Sequence, residues 1–126
     1  MRRGEVYLVE FGKRYLSNLG KRRPAVIFSA QEYLDISGEI PYPAILVFPL
    51  TTQCVNDRGN LLRVSLRARD RLRGENEIIV NWCCSVDRMN IRRDLGALTR
   101  CTDEEMAELE EKFLFYCGIG AKGTKR

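Results

Sequence analysis

The chain predicts a mainly β fold with helices (α+β): a small, partly open β-barrel finished by a C-terminal helix. Three observations carry that prediction. Six or so short runs are rich in β-branched and aromatic residues and are bounded by Gly, Pro and Asn turns. No helical pattern alternates with them, so βαβ units and a parallel sheet are excluded. One capped amphipathic helix follows the last run. The 126 residues suit a single domain, 1–119, followed by a basic, disordered tail over 120–126.

Val6-Tyr7-Leu8-Val9-Glu10-Phe11 reads as the first strand, opened by Gly4. A polar, basic connection over 12–21 follows, with Gly20 as its tight turn. Residues 25–29 are nearly all apolar, which predicts a central strand. Three cations, Lys21-Arg22-Arg23, run into it through Pro24. The proline disfavours helix at Arg23 and keeps it extended at the strand's mouth. A guanidinium fixed there presents a planar, permanently charged fork to a phosphate. The alternative is an ordinary polar loop leading into a core strand.

Residues 31–36 fit a short helical turn, and 37–43, with Gly38, Pro41 and Pro43, fit a loop. Ala44-Ile45-Leu46-Val47-Phe48 is a third, fully apolar strand, expected to stop at Pro49-Leu50-Thr51-Thr52-Gln53. A turn over 56–60 leads to a run, 61–73, that alternates cleanly. Leu62, Val64, Leu66, Ala68 and Leu72 fall on one face, and Arg63, Ser65, Arg67, Arg69, Arg71 and Arg73 on the other. As one extended strand it would set guanidiniums about 6.6 Å apart, near the spacing of successive phosphates. A charged edge strand that discourages aggregation would show the same pattern.

Residues 77–86 predict a further strand interrupted by Trp82-Cys83-Cys84-Ser85, and 95–99 a short last one. Thr102 and Glu105 form a capping box that opens a helix to Cys117, ended by Gly118. Met106, Leu109, Phe113 and Tyr116 lie on one stripe of it, at helical spacing.

Composition narrows the function. The net charge of +4 hides a division: residues 102–117 hold six of the 17 acids and one of the 21 bases. The remainder carries 20 bases against 11 acids, which points to a polyanionic partner. With no histidine, every mechanism that rests on an imidazole is excluded. Five cysteines without CxxC spacing read as reduced thiols, not as a disulfide frame or a zinc site. No apolar run is long enough to span a membrane, and the N-terminal residues lack a signal peptide's apolar core, so a cytoplasmic protein is expected.

Four segments then occur in a telling order: Arg3-Gly4-Glu5-Val6-Tyr7, Arg23-Pro24-Ala25-Val26-Ile27, Pro49-Leu50-Thr51-Thr52-Gln53 and Ser85-Val86-Asp87-Arg88. With the acidic helix, they resemble the MazF/PemK toxins over about residues 2–119. The resemblance implies an SH3-like barrel and the homodimeric toxin of a toxin–antitoxin pair. Such toxins cut single-stranded RNA without a metal or other cofactor, leaving a 2′,3′-cyclic phosphate and a 5′-hydroxyl, and an antitoxin protein blocks the RNA groove. Their catalytic arginine and threonine match Arg23 and Thr51. Lys21, Arg22, Thr52, Gln53, Arg63, Arg67, Arg69, Trp82 and Ser85 are the candidate RNA contacts.

The residue types suit that chemistry. Attack by the ribose 2′-hydroxyl on its own phosphate needs no external nucleophile, only orientation and stabilisation of charge on the phosphoryl oxygens. Arg23 suits a charged clamp rather than a general base, since deprotonating it near pH 7 costs on the order of 7 kcal/mol. The acceptor of the 2′-proton is unassigned; Asp57 and Asp87 are the available carboxylates. Trp82 either stacks an unpaired base or fills a core or dimer contact. The chain departs from the family pattern at Ser17-Asn18-Leu19-Gly20, which has no acid, and at Asn81-Trp82-Cys83-Cys84-Ser85. Two rival functions remain: a CcdB-like gyrase inhibitor on the same barrel, although its Trp-Gly-Ile ending is missing, and a catalytically silent RNA-binding barrel.

Overall fold

The computed structural model describes residues 1–12, 22–57 and 59–120. The predicted turn at Gly20, the tail over 121–126 and the candidate RNA contact Lys21 lie outside them. Seven strands form one curled antiparallel sheet: β1 (Glu5–Glu10), β2 (Arg22–Ile27), β3 (Ala44–Thr51), β4 (Arg63–Leu66), β5 (Asn76–Ile79), β6 (Cys84–Asp87) and β7 (Thr99–Arg100). Their order is β4-β5-β3-β2-β1-β7, with β6 also paired to β3. Two helices complete it, α1 (Gln31–Ile36) and α2 (Asp103–Cys117). This is the predicted half-open barrel with its C-terminal helix.

The central strands are apolar throughout because both faces of the sheet are covered. Val26 joins one core, with Phe48, Leu50, Val64, Leu66, Ile78 and Leu109. Its neighbours Ala25 and Ile27 join the other, with Tyr7, Val9, Ile45 and Val47. Cys83 packs against the first core and Cys84 against the second, and all five cysteines are free thiols.

Helix α2 covers the first core. Thr102 accepts from the Glu105 N–H at 3.1 Å while Glu105 Oε1 accepts from the Thr102 N–H at 2.8 Å, the predicted capping box. Gly118 ends the helix in the left-handed region, at φ 74°. Leu109 is fully buried, a burial worth about 1.5–3 kcal/mol. Phe113 meets Phe28 and Phe48 edge to face at 5.3 and 5.4 Å. Tyr116 departs from the predicted stripe: it is 48% exposed, beside the exposed Leu114, Phe115 and Ile119.

Four strand predictions need correction. β2 begins three residues earlier than predicted and passes through Pro24, so Arg23 lies inside the strand, opposite Val9. β3 likewise runs through Pro49 to Thr51. Both prolines sit where pairing lapses. Pro24 lies just past the Ala25↔Pro49 rung that ends the β2–β3 ladder. Pro49 turns its missing N–H to the other side of β3, between the β6 rungs that end at Val47↔Cys84 and the β5 rungs that begin at Leu50↔Ile78. The alternating run over 61–73 is not one strand. It pairs only over Arg63–Leu66, then turns through Asp70 at φ 50°, because β5 offers only four residues to pair with. The last strand is Thr99–Arg100, not 95–99; residues Arg93–Leu95 form a 3₁₀ turn.

Candidate nucleic-acid interface and cleavage site

The site opens where β2 and β3 part. Past the Ala25↔Pro49 rung, β2 follows β1, with Arg23 opposite Val9 and Arg22 opposite Glu10. β3 instead turns to β5, with Leu50 opposite Ile78 and Thr51 opposite Glu77. The gap becomes a groove of about 820 Å³. Arg22, Arg23 and Pro24 line it from β2, and Leu50, Thr51, Thr52 and Gln53 from β3 and the loop after it. Arg63, Arg71, Arg73, Asn76 and Trp82 complete it.

Arg23 and Thr51, far apart in sequence, therefore meet in one groove. Arg23 Nη1 donates to the Leu50 carbonyl at 3.1 Å, one residue before Thr51. The guanidinium is half-buried, and burial pushes it below the ordinary arginine range. A cation held partly out of water gains more from an arriving anion than a fully solvated one does. Thr51 is 7% exposed, and its Oγ1 accepts from the Gln53 N–H at 3.0 Å. That bond shapes the turn and uses an oxygen lone pair; the hydroxyl proton remains to be donated.

Arg63 is tied to a buried acid. Its Nη1 donates to Glu77 Oε1 at 2.8 Å and to the Gln53 carbonyl at 3.2 Å. Glu77, only 2% exposed, also accepts from the Val55 N–H at 3.0 Å and the Asn56 N–H at 3.1 Å. Burial alone would raise the Glu77 carboxyl, but these two backbone donors and Arg63 together hold it below the ordinary carboxylate range. Glu77 thus fixes the loop that follows Thr51, including Asn56 in its left-handed conformation at φ 53°.

The other arginines scatter. Arg69 turns away from the groove to α2, donating to both oxygens of Glu105 at 3.0 and 2.6 Å. Arg67 is exposed, and like Arg69 it is not among the groove residues. Arg71 and Arg73 line the groove in their place; Arg71 Nη2 donates to the Leu95 and Ala97 carbonyls at 2.7 and 2.6 Å. The expected straight row of guanidiniums is thus replaced by a cluster folded around the groove. Arg22 lines it while bound to Glu10 Oε2 at 2.7 Å.

The remaining candidates divide. Thr52 and Gln53 are exposed on the groove's rim, and Trp82 packs against the second core while lining the groove. Ser85 sits on β6 opposite Leu46, away from the groove. Asp57 Oδ1 accepts from the Gly59 N–H and Asp87 Oδ1 from the Met89 N–H, so both carboxylates shape turns outside the groove. Sequence reasoning missed Glu77 and Asn76. An acid at the head of the buried run Ile78-Ile79-Val80 was the available signal for Glu77; Asn76 had none.

An arginine-lined groove in a half-open antiparallel barrel has the charge and shape to take a polyanion at one sheet edge. The chain belongs to the PemK-like, MazF-like toxins of type II toxin–antitoxin systems, whose family model matches residues 2–115. No curated protein sequence matches it. Among solved structures, MazF from Deinococcus radiodurans superposes with a TM-score of 0.68 at 22% identity, covering 94% of this chain and 96% of that one. The MazE–MazF complex from the same organism gives 0.66 at 21% identity, over 94% and 95% of the two chains. An endoribonuclease in complex with its cognate antitoxin, from a mycobacterial species, gives 0.68 at 16% identity, over 96% and 98%. At these identities the solved structures speak for the fold.

Proposed function

We propose that the protein is a cytoplasmic toxin that cuts single-stranded RNA by attack of a ribose 2′-hydroxyl on its own phosphate. The O2′–P bond forms and the P–O5′ bond breaks, leaving a 2′,3′-cyclic phosphate and a 5′-hydroxyl. The observation that carries this reading is the guanidinium of Arg23 lying across the groove against the residue before Thr51. A phosphate in the groove would take two parallel hydrogen bonds from Arg23 and one from the Thr51 hydroxyl, both strengthening as charge gathers on the phosphoryl oxygens. Arg23 would also give a proton to the departing 5′-oxygen, a role that its pKa, lowered by burial, supports. The groove's other arginines supply the positive charge, so the reaction requires no metal. Arg22, Arg63, Arg71 and Arg73 would track the backbone on either side.

The partners follow the same reading. The exposed apolar end of α2, with Leu114, Phe115, Tyr116 and Ile119, suits a homodimer contact. An antitoxin would act by occupying the groove, as suits a protein similar in fold to toxins crystallised with MazE or with a cognate antitoxin. The test is to incubate the purified protein with a long single-stranded RNA in EDTA and map the ends. Discrete cuts carrying cyclic phosphate and 5′-hydroxyl ends are expected. Intact RNA, or ends with a 3′-hydroxyl, would overturn the reading.

A further inference from the structure

Asn76 is out of character with the groove it lines. The groove is built from donors, five of its residues being arginines, and most of its polar side chains are exposed or half-exposed. Asn76 is 4% exposed and sits at the head of β5, opposite Leu66 of β4, where paired backbone holds it. A side chain fixed on a strand is placed more rigidly than one on a loop.

Its carboxamide has one orientation. Nδ2 donates to the Arg73 and Gly74 carbonyls, both at 3.3 Å. Reversed, the amide would set its oxygen against two carbonyl oxygens and forfeit both bonds. With Nδ2 committed to that turn, Oδ1 points away from it. No described residue donates to Oδ1, and among the described residues the sealed, unpartnered side-chain polar atom is Arg88 Nε alone, so Oδ1 keeps solvent contact. The result is a fixed acceptor in a groove whose other charged and polar groups suit phosphates. Leu72, Leu98 and Trp82 add the apolar surface that the flat faces of a base require.

A phosphate oxygen cannot use an acceptor, whereas a base edge can. We infer that Asn76 Oδ1 reads a nucleobase, accepting a hydrogen bond from an exocyclic amine and so favouring adenine, cytosine or guanine over uracil at one position of the bound RNA. Uracil offers one N–H, flanked on both sides by carbonyl oxygens that would face Oδ1 and repel it. Adenine, cytosine and guanine each offer an amino group, none of whose N–H groups lies between two carbonyl oxygens. This inference rests on the RNA reading above and adds to it the chemistry of one recognised base.

The test separates the two. Dodecamers of 2′-O-methyluridine carry one central adenosine, cytidine or purine riboside, likewise 2′-O-methylated, or none; without any attacking hydroxyl they cannot be cut. Binding to the unaltered protein is measured by fluorescence anisotropy. The adenosine and cytidine probes are expected to bind about tenfold more tightly than all-uridine, as for one good base contact. Purine riboside, which has the adenine rings without the amine, should bind like all-uridine. Asn76→Ala, checked for folding by circular dichroism, should lose the preference, its adenosine and cytidine probes binding no more tightly than its all-uridine one. The inference is overturned if purine riboside matches adenosine, if the unaltered protein shows no preference, or if a folded Asn76→Ala keeps it. Failure to bind any probe would sink the RNA reading itself, and this inference with it.

Discussion

Two walls face the same groove, each built around an arginine, and they are held in different ways. On the β2–β3 wall, Arg23 donates to a neutral carbonyl, that of Leu50, at 3.1 Å. On the β4–β5 wall, Arg63 is bonded at 2.8 Å to Glu77, an acid with 2% exposure and two further backbone donors. The first wall exists because the β2–β3 ladder ends at Ala25↔Pro49, next to Pro24, and the strands part beyond it. The second exists because a buried carboxylate gathers a loop. The Leu50 carbonyl holds Arg23 on the groove wall, while a buried carboxylate holds Arg63 and, through the loop, the shape of the rim.

The sharpest way to break the comparison is to truncate each arginine. Arg23→Ala should lower the rate of RNA cleavage about 10²–10³-fold, the usual loss for one donor to a developing oxyanion, with the thermal midpoint little changed. Arg63→Ala should do the reverse in kind. It leaves Glu77 buried without its cation and should cost about 1–3 kcal/mol of stability, with a smaller loss of rate. Measuring cleavage and thermal unfolding on both variants decides the matter. Equal losses of rate would mean that the two arginines share one role.

Acid should loosen the second wall. The Glu77 carboxyl titrates below its ordinary value of 4.5 in the folded protein, as does that of Glu105, which Arg69 and its own cap hold down after burial would have raised it. Above that value both states are ionised and the stabilisation is complete. As pH falls through it, the unfolded chain takes up protons before the folded one does, so stability declines until the folded carboxyls are protonated too. Thermal midpoints measured from neutral pH to below 4.5 should therefore fall with acid, and Glu77→Gln should flatten the curve. An unchanged curve in that variant would show that Glu77 does not hold the loop.

The two walls also differ in how far the sequence exposes them. The first is written in local signals. Arg22-Arg23-Pro24 and Pro49-Leu50-Thr51 are short, contiguous and rigid, and the strands around them are apolar runs. Even there, proline misled at both strand ends, because its effect depends on whether a partner lies on its N–H side, and pairing is not a local property. The second wall depends on contacts between segments: Glu77 reaches Val55 and Asn56, and Asn76 is oriented by the turn at Arg73 and Gly74. No spacing in the chain encodes those meetings. The arginine run shows the limit most plainly. Its period of two is a true strand signal, yet only Arg63–Leu66 find a partner strand, and the rest turns back toward α2 and the groove. The amphipathic period of α2 was read correctly up to Phe113. It fails at Tyr116, where the helix has run past the body it packs on.

That scattering gives the smallest and most discriminating test. Arg67 and Arg73 sit on the same face in the alternating pattern, so a straight strand would give them equal shares in binding RNA. In the folded protein Arg73 lines the groove and Arg67 does not. Each phosphate neutralised on a single strand contributes about 0.7 to the slope of log affinity against log salt. Arg73→Ala should thus reduce that slope by about 0.7 on an uncleavable 2′-O-methyl RNA, and Arg67→Ala should leave it unchanged. Both variants replace exposed side chains, so neither should disturb the fold. Equal slope changes would mean that bound RNA follows the outer face of the 61–73 segment rather than the groove, and the two-walled site would have to be redrawn around that face.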